Sequence, residues 1–328
     1  MNLSVVTLGD LVADLIVPIS HLPVRAQEHQ PARDLVLEAG GTGNFLVVAV
    51  RLGLRSSALG AVGHDYYGGE VINILGAEGI NIEHIAALPG SRTTTSIVLV
   101  DDNADHVFVW MQGTGPSVAY RSDWENMISG AGAVFTAGYA INANAAFGPE
   151  TLLACLELAR RHDIPTFFDL GPAAFIDDRA WIKQAIGYAT VLLATQEEAS
   201  EWVGLSEPLA AARRFLELGL STVIIKLGPE GCLLVTGEEH VQVKAFSVDV
   251  RDTAGAGDAF ASGCVYGFLR KFSLEHIGQL ANAVGSASVS KLGTGTHLPS
   301  KEEITQLLMG HGHPLTDSRE FNDGNYNG

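Results

Sequence analysis

With 328 residues, 47% of them hydrophobic, and a formal charge of −17, the chain is long enough to bury one large core. The negative charge excludes non-specific binding to nucleic acid or to an anionic membrane surface, because the phosphate attraction behind both is here a repulsion. No apolar run, Phe45 to Val50 included, approaches the ~20 residues that cross a bilayer, and Met1 to Val6 lacks a basic leader region, so a cytoplasmic protein with small-molecule partners is expected.

In chain order, Val5 to Leu8 reads as a strand and runs straight into Gly9-Asp10-Leu11-Val12-Ala13-Asp14. Leu15 to Leu37 breaks the pattern that follows. Gly40-Gly41-Thr42-Gly43-Asn44 then leads into a helix over Asn44 to Leu52, followed by a strand at Ser57 to Val62 and a helix at Tyr67 to Glu78. Arg92 to Gln112 breaks the pattern again: two β-rich runs flank the polar turn Asp101 to Asp105, which reads as a hairpin. Strands at Ala133 to Thr136, Thr166 to Asp169, Thr190 to Ala194 and Thr222 to Lys226 alternate with helices at Pro149 to Arg161, Glu198 to Val203 and Leu209 to Leu218. Alternation of this kind predicts a doubly wound, mostly parallel α/β sheet flanked by helices. The two interruptions, 15–37 and 92–112, are expected to form a small β lid over a core of residues 1–14, 38–91 and 113–313. The Asn-, Asp- and Gly-rich tail 314–328 is expected to be disordered. Cys155, Cys232 and Cys264 lie far apart and read as buried free thiols, with no Cys-x-x-Cys metal pattern.

Chemistry concentrates in Asp252-Thr253-Ala254-Gly255-Ala256-Gly257-Asp258, ahead of an apolar helical run to Leu269. Tiny side chains at 254–257 let backbone N–H groups approach an anion at a helix N-terminus, which makes Gly255, Ala256 and Gly257 a candidate anion hole. Asp258 in the first turn is placed to take a proton from an attacking hydroxyl. An ordinary helix-start carboxylate explains Asp258 equally well from this heptapeptide alone. The chain contains no Gly-x-x-x-x-Gly-Lys-Ser/Thr loop, and a dinucleotide fingerprint read from Gly255 meets Phe260 where a small residue is needed. Asp14 and Asn44, at the carboxyl ends of strands, are placed to bond vicinal hydroxyls; a loop Asp and a helix-capping Asn are the plainer accounts.

These motifs together resemble the ribokinase-like (PfkB) carbohydrate kinases, over residues 3 to about 310. Leu59 to Gly68, Lys226-Leu227-Gly228-Pro229-Glu230-Gly231 and Asn282 to Ala287 belong to the same resemblance. It implies an ATP- and Mg2+-dependent kinase acting on a sugar or sugar acid, with Asp258 as base and Gly255 to Gly257 facing the transferred phosphoryl group. Asp14, Gly40, Gly41 and Asn44 match substrate positions. Lys226, Gly228, Gly231 and Asn282 match nucleotide positions. Glu198 matches an indirect Mg2+ position, and Asp252 the monovalent-cation (K+) site of some members. Two departures stand out. Thr195 replaces the usual Asn of the Asn-x-x-Glu motif, and no acidic residue follows Phe135-Thr136-Ala137-Gly138-Tyr139, which weakens ribose as substrate. The resemblance also implies pairing of two subunits through the lid. A nucleoside kinase and an inert ligand sensor on the same fold are the competing readings.

Overall fold

Val5 and Val6 point to opposite faces of the first strand, and both are buried. A strand can be apolar on both faces only if helices cover each side, and the computed structural model, which describes residues 2–111, 118–141, 148–171 and 179–310, has this arrangement. The chain runs β1 Ser4–Leu8, β2 Leu11–Pro18, β3 Val36–Gly41, α1 Thr42–Leu52, β4 Arg55–Gly63, α2 Tyr66–Ala77, β5 Ile85–Leu88, β6 Thr95–Val100 and β7 His106–Met111. It continues with α3 Trp124–Ser129, β8 Ala133–Ala137, α4 Pro149–Arg161, β9 Thr166–Asp169, α5 Arg179–Tyr188, β10 Val191–Thr195, α6 Gln196–Val203 and α7 Pro208–Leu216. The last elements are β11 Thr222–Lys226, β12 Cys232–Thr236, β13 His240–Val243, α8 Ala256–Leu269, α9 Leu274–Val289 and α10 Lys301–Gly310.

Nine strands form the larger sheet in the order β13-β12-β11-β10-β9-β8-β1-β4-β5. It is parallel from β11 through β5, with β12 and β13 added antiparallel at one edge. Val5, Ala133 and Phe135 pack with α1, α2, α8, α9 and α10 on one face; Val6, Val134 and Phe168 pack with α3 to α7 on the other. Phe45 of α1 stacks flat on Phe135 of β8, centroids 3.8 Å apart, and fixes that helix to the sheet. The three cysteines are buried and free, and burial alone pushes the Cys155 thiol up to about 12. Among the described residues no helix is long and apolar enough to cross a membrane.

A separate four-stranded sheet has the order β3-β2-β6-β7, and β6 and β7 form the hairpin foreseen from the turn at Asp101. Asp101 holds that turn, accepting the N–H groups of Asn103 at 2.8 Å and Asp105 at 3.1 Å. Asp14 lies within β2, and Gly40 and Gly41 end β3, so these substrate candidates are on the small sheet and not on the larger body. The tail 314–328 falls outside the described residues.

Candidate active site

Parallel α/β sheets bind ligands beyond the carboxyl ends of their strands, where neighbouring connections depart in opposite directions. Here β1 lies between β8 and β4, with the chain leaving to either side. Asp10 follows β1, Tyr139 follows β8, Asp169 ends β9 and Lys226 ends β11, so one edge of the sheet gathers the polar groups.

Over this edge stands the N-terminus of α8. Its cap is Gly255 at φ +72°, and no side chain caps the helix; within its first turn the Ala256 N–H donates to the Thr253 carbonyl at 3.3 Å. A Cβ at Gly255 would lie 3.2 Å from the Asn44 amide carbon, and one at Gly257 would lie 3.5 Å from Lys226 Nζ. The glycine turn is therefore wedged between a substrate candidate and a nucleotide candidate. Asp258 does not act as a cap. It accepts from Asn44 Nδ2 at 3.4 Å on Oδ2 and from the Tyr139 hydroxyl at 3.3 Å on Oδ1. Burial pushes its pKa up to about 7, helped by the Asp169 charge and opposed by Lys226 and the two donors. A carboxylate poised near neutral pH suits a general base.

Among the substrate candidates, Asn44 lies inside α1, whose cap is Gly41, so its side chain is not a helix cap. Its Oδ1 accepts the Gly295 N–H at 2.9 Å, which turns Nδ2 toward Asp258. Asp14 is buried and accepts from the Thr294 hydroxyl at 3.0 Å. Desolvation pushes Asp14 to about 7, Thr294 opposes the rise and neighbouring Glu38 adds to it. Gly40 is required here: a Cβ would come within 2.0 Å of Asp14 Oδ2. Asp252 accepts the N–H groups of Ala254 and Gly293, both at 2.9 Å. Its carboxylate thus ties the loop before α8 to the loop after α9, which also presents Thr294 and Gly295.

Among the nucleotide candidates, Lys226 Nζ meets both oxygens of Asp169, at 2.9 and 2.8 Å. Burial lowers the lysine pKa, but the charges of Asp169 and Glu198 outweigh it and leave the pKa raised. Thr195 and Glu198 form a capping box for α6: Thr195 N–H donates to Glu198 Oε2 at 2.8 Å, and Glu198 N–H donates to Thr195 Oγ1 at 3.2 Å. Thr195 in place of Asn thus keeps α6 capped and Glu198 fixed. Gly228 and Gly231 flank a short 3-10 turn, and a Cβ at Gly231 would overlap the Val243 carbonyl at 1.9 Å. Asn282 Nδ2 donates to the carbonyls of Val243 at 2.9 Å and Lys244 at 3.1 Å, holding the chain that leaves β13.

The structure brings Asp258, the glycine turn, Asn44 and Lys226 together at the carboxyl edge of the large sheet, with Asp14 on the small sheet and tied to the same loop as Asn44 through Thr294 and Gly295. It adds three residues that the sequence reading did not single out: Tyr139, Asp169 and Thr294. Asp169 ends β9 and Tyr139 lies two residues past β8, both at the carboxyl edge, and that position is the available signal. Thr294 gave none, since its partner Asp14 is 280 residues away.

The sequence pattern described as "pfkB family carbohydrate kinase" matches residues 2–301. A nucleoside kinase of Methanothermobacter thermautotrophicus is 27% identical over 302 residues, covering 91% of this chain and 93% of that protein. The ribokinase of Mus musculus is 26% identical over 317 residues, covering 93% and 95%. Among solved structures, Arabidopsis thaliana ribokinase complexed with ribose and ATP superposes with a TM-score of 0.80 at 21% identity, covering 94% of this chain and 99% of that one. The fold is that of the ribokinases, a large mostly parallel sheet flanked by helices with a separate small sheet.

Proposed function

The chain belongs to the pfkB family of carbohydrate kinases, and from that premise we propose that it moves the γ-phosphate of ATP to a hydroxyl of a sugar moiety, in a sugar, a sugar acid or a nucleoside, with Asp258 as the base. The observation that carries this is the position of Asp258: beside an uncapped helix N-terminus, oriented by Asn44 and Tyr139, with a pKa raised to about 7. Asp14 and Asn44 hold the acceptor so that one hydroxyl lies at Asp258 Oδ2. As that oxygen attacks phosphorus its proton passes to Oδ2, while Gly255, Ala256 and Gly257 let backbone N–H groups face the transferred phosphoryl oxygens. Lys226 adds positive potential on the nucleotide side, where Gly228, Gly231 and Asn282 shape the wall. Mg2+, which binds through one or two carboxylates with phosphate and water, would be held by Asp169 and Glu198 and would neutralise phosphate charge. An ADP-release assay across pentoses, hexoses, sugar acids and nucleosides tests the reaction. With a productive acceptor, kcat/KM is expected to rise as pH increases through about 7, as Asp258 loses its proton. A profile flat from pH 5 to 9 would remove Asp258 from the role.

The lid supports a proposal about assembly. Leu15, Ile97, Leu99, Val107 and Val109 occupy the face of the small sheet opposite Asp14, and Val109 is 55% exposed. An unbroken apolar sheet face of this kind fits a second copy of the chain. We expect a dimer by light scattering, and a monomer after Ile97→Glu with Val109→Glu; a wild-type monomer at micromolar concentration argues against the pairing.

A further inference from the structure

The body-facing side of the lid carries a row of side chains that the proposed chemistry leaves half used. By register, Glu38, Asp14, Ser96 and Trp110 stand side by side on β3, β2, β6 and β7, and Val36, Ile16, Val98 and Phe108 form the next row. Residues paired in a ladder share a face. This face is turned to the body, because Asp14 bonds Thr294, Glu38 bonds Thr296, and His106 Nδ1 lies 3.3 Å from Thr253 Oγ1.

Ser96 is 5% exposed, and its Oγ has no hydrogen-bond partner among the described residues. A buried hydroxyl without a partner is costly, and a bound ligand is one way of supplying the missing bond. Trp110 and Phe108, on the same face, are 63% and 45% exposed. The outer edge of the lid therefore stands off the body and leaves two aromatic rings uncovered next to Ser96. The two rows contain two carboxylates and no Lys or Arg, so an anionic acceptor would meet like charge there.

We propose that Ser96 hydrogen-bonds the acceptor beside Asp14 and that Trp110 and Phe108 cover a flat unsaturated ring attached to it, so that the acceptor is a nucleoside and not a free sugar or sugar acid. This rests on the phosphotransfer reading above and narrows it. Trp110 is two strand spacings from Asp14, about 10 Å, farther than one pentose ring held at Asp14 and Asn44 extends. A base carried by that pentose bridges the gap, whereas free ribose leaves both aromatic rings in water.

Calorimetric titration of the full-length protein with inosine, thymidine, D-ribose and D-gluconate tests the proposal without requiring turnover. At least one nucleoside is expected to bind about tenfold or more tightly than ribose, with gluconate weakest. Trp110→Ala is expected to weaken that nucleoside by about ten- to a hundredfold, the size of one base–aromatic stack, and to leave ribose unchanged. Ser96→Ala is expected to weaken nucleoside and ribose alike by about tenfold, with no loss of melting temperature, because the hydroxyl has no structural partner to lose. Equal binding of ribose and both nucleosides, or nucleoside binding indifferent to Trp110→Ala, overturns the proposal. A protein that discriminates in this way yet releases no ADP keeps the subsite and loses the kinase reading; one that phosphorylates ribose and binds no nucleoside does the reverse.

Discussion

Replacing Asp258 by Asn is expected to lower kcat by about a hundred- to ten-thousandfold, the usual contribution of a positioned general base, while ATP affinity measured by calorimetry stays within about threefold. The amide keeps the volume and can still meet Tyr139 and Asn44, but it cannot take the acceptor's proton. The same substitution has a second signature in stability. The folded-state pKa is raised to about 7 from the ordinary 3.8 of an aspartate, so the native state holds this proton more tightly than the unfolded chain does. Stability is thus undiminished below pH 3.8, falls as pH rises to about 7, and stays lowered above it. Asp258→Asn removes that loss. Because the carboxyl is partly open to the cleft, the gain is expected to be about 1–3 kcal/mol at pH 8 and to fade towards pH 4. Urea unfolding at the two pH values checks it. A variant that is inactive and also less stable at pH 8 would indicate a damaged fold, and near-normal turnover would remove Asp258 as the base.

Much of this site is legible in the sequence because the relevant signals are local. Gly255 must be small, since its φ is +72° and Asn44 approaches it, and Gly40 must be small because Asp14 lies against it. Burial of both Val5 and Val6, on opposite faces of β1, likewise follows from the unbroken apolar run. What the sequence conceals is adjacency between distant strands. Tyr139 becomes a partner of Asp258, 119 positions later, only because β8 ends beneath the start of α8. The absence of an acid after Tyr139 reads as weakening ribose as substrate; in the structure the tyrosine itself bonds Asp258. Thr195-x-x-Glu198 is a local capping box visible in the sequence, but the metal-binding motif it resembles drew the reading away from the helix it starts. The antiparallel strands β12 and β13 are hidden for another reason. Cys232 to Val243 has no helix between its two apolar runs, so the alternation that marks a parallel unit is silent there.

Lys226→Met is expected to cost about 3–5 kcal/mol of unfolding free energy, the largest stability loss of any single change at the site. Lys226 and Asp169 are paired at 2.8 Å with side chains 14% and 6% exposed. Without the ammonium, the buried Asp169 carboxylate loses the cation it is paired with and is left facing Asp258 and Glu198. Desolvation already raises the pKa of Asp258 and of Glu198, so the loss is electrostatic as much as a lost contact. Two consequences separate this from simple damage to packing. First, the Lys226 charge holds the Asp258 pKa down, so its removal is expected to move the rise in kcat/KM to a pH above 7 in whatever activity remains. Second, Asp169→Leu added to Lys226→Met replaces both charges by apolar groups of similar size, and much of the lost stability is expected to return, because an ion pair removed whole is far less costly than one broken in half. The double variant is expected to fold well and to phosphorylate poorly. If the two substitutions are merely additive in denaturant unfolding, the pair is not the element that holds β9 and β11 together at the nucleotide end, and the stability of that edge has to come from the apolar layers of Leu192, Val223 and Ile225 behind it.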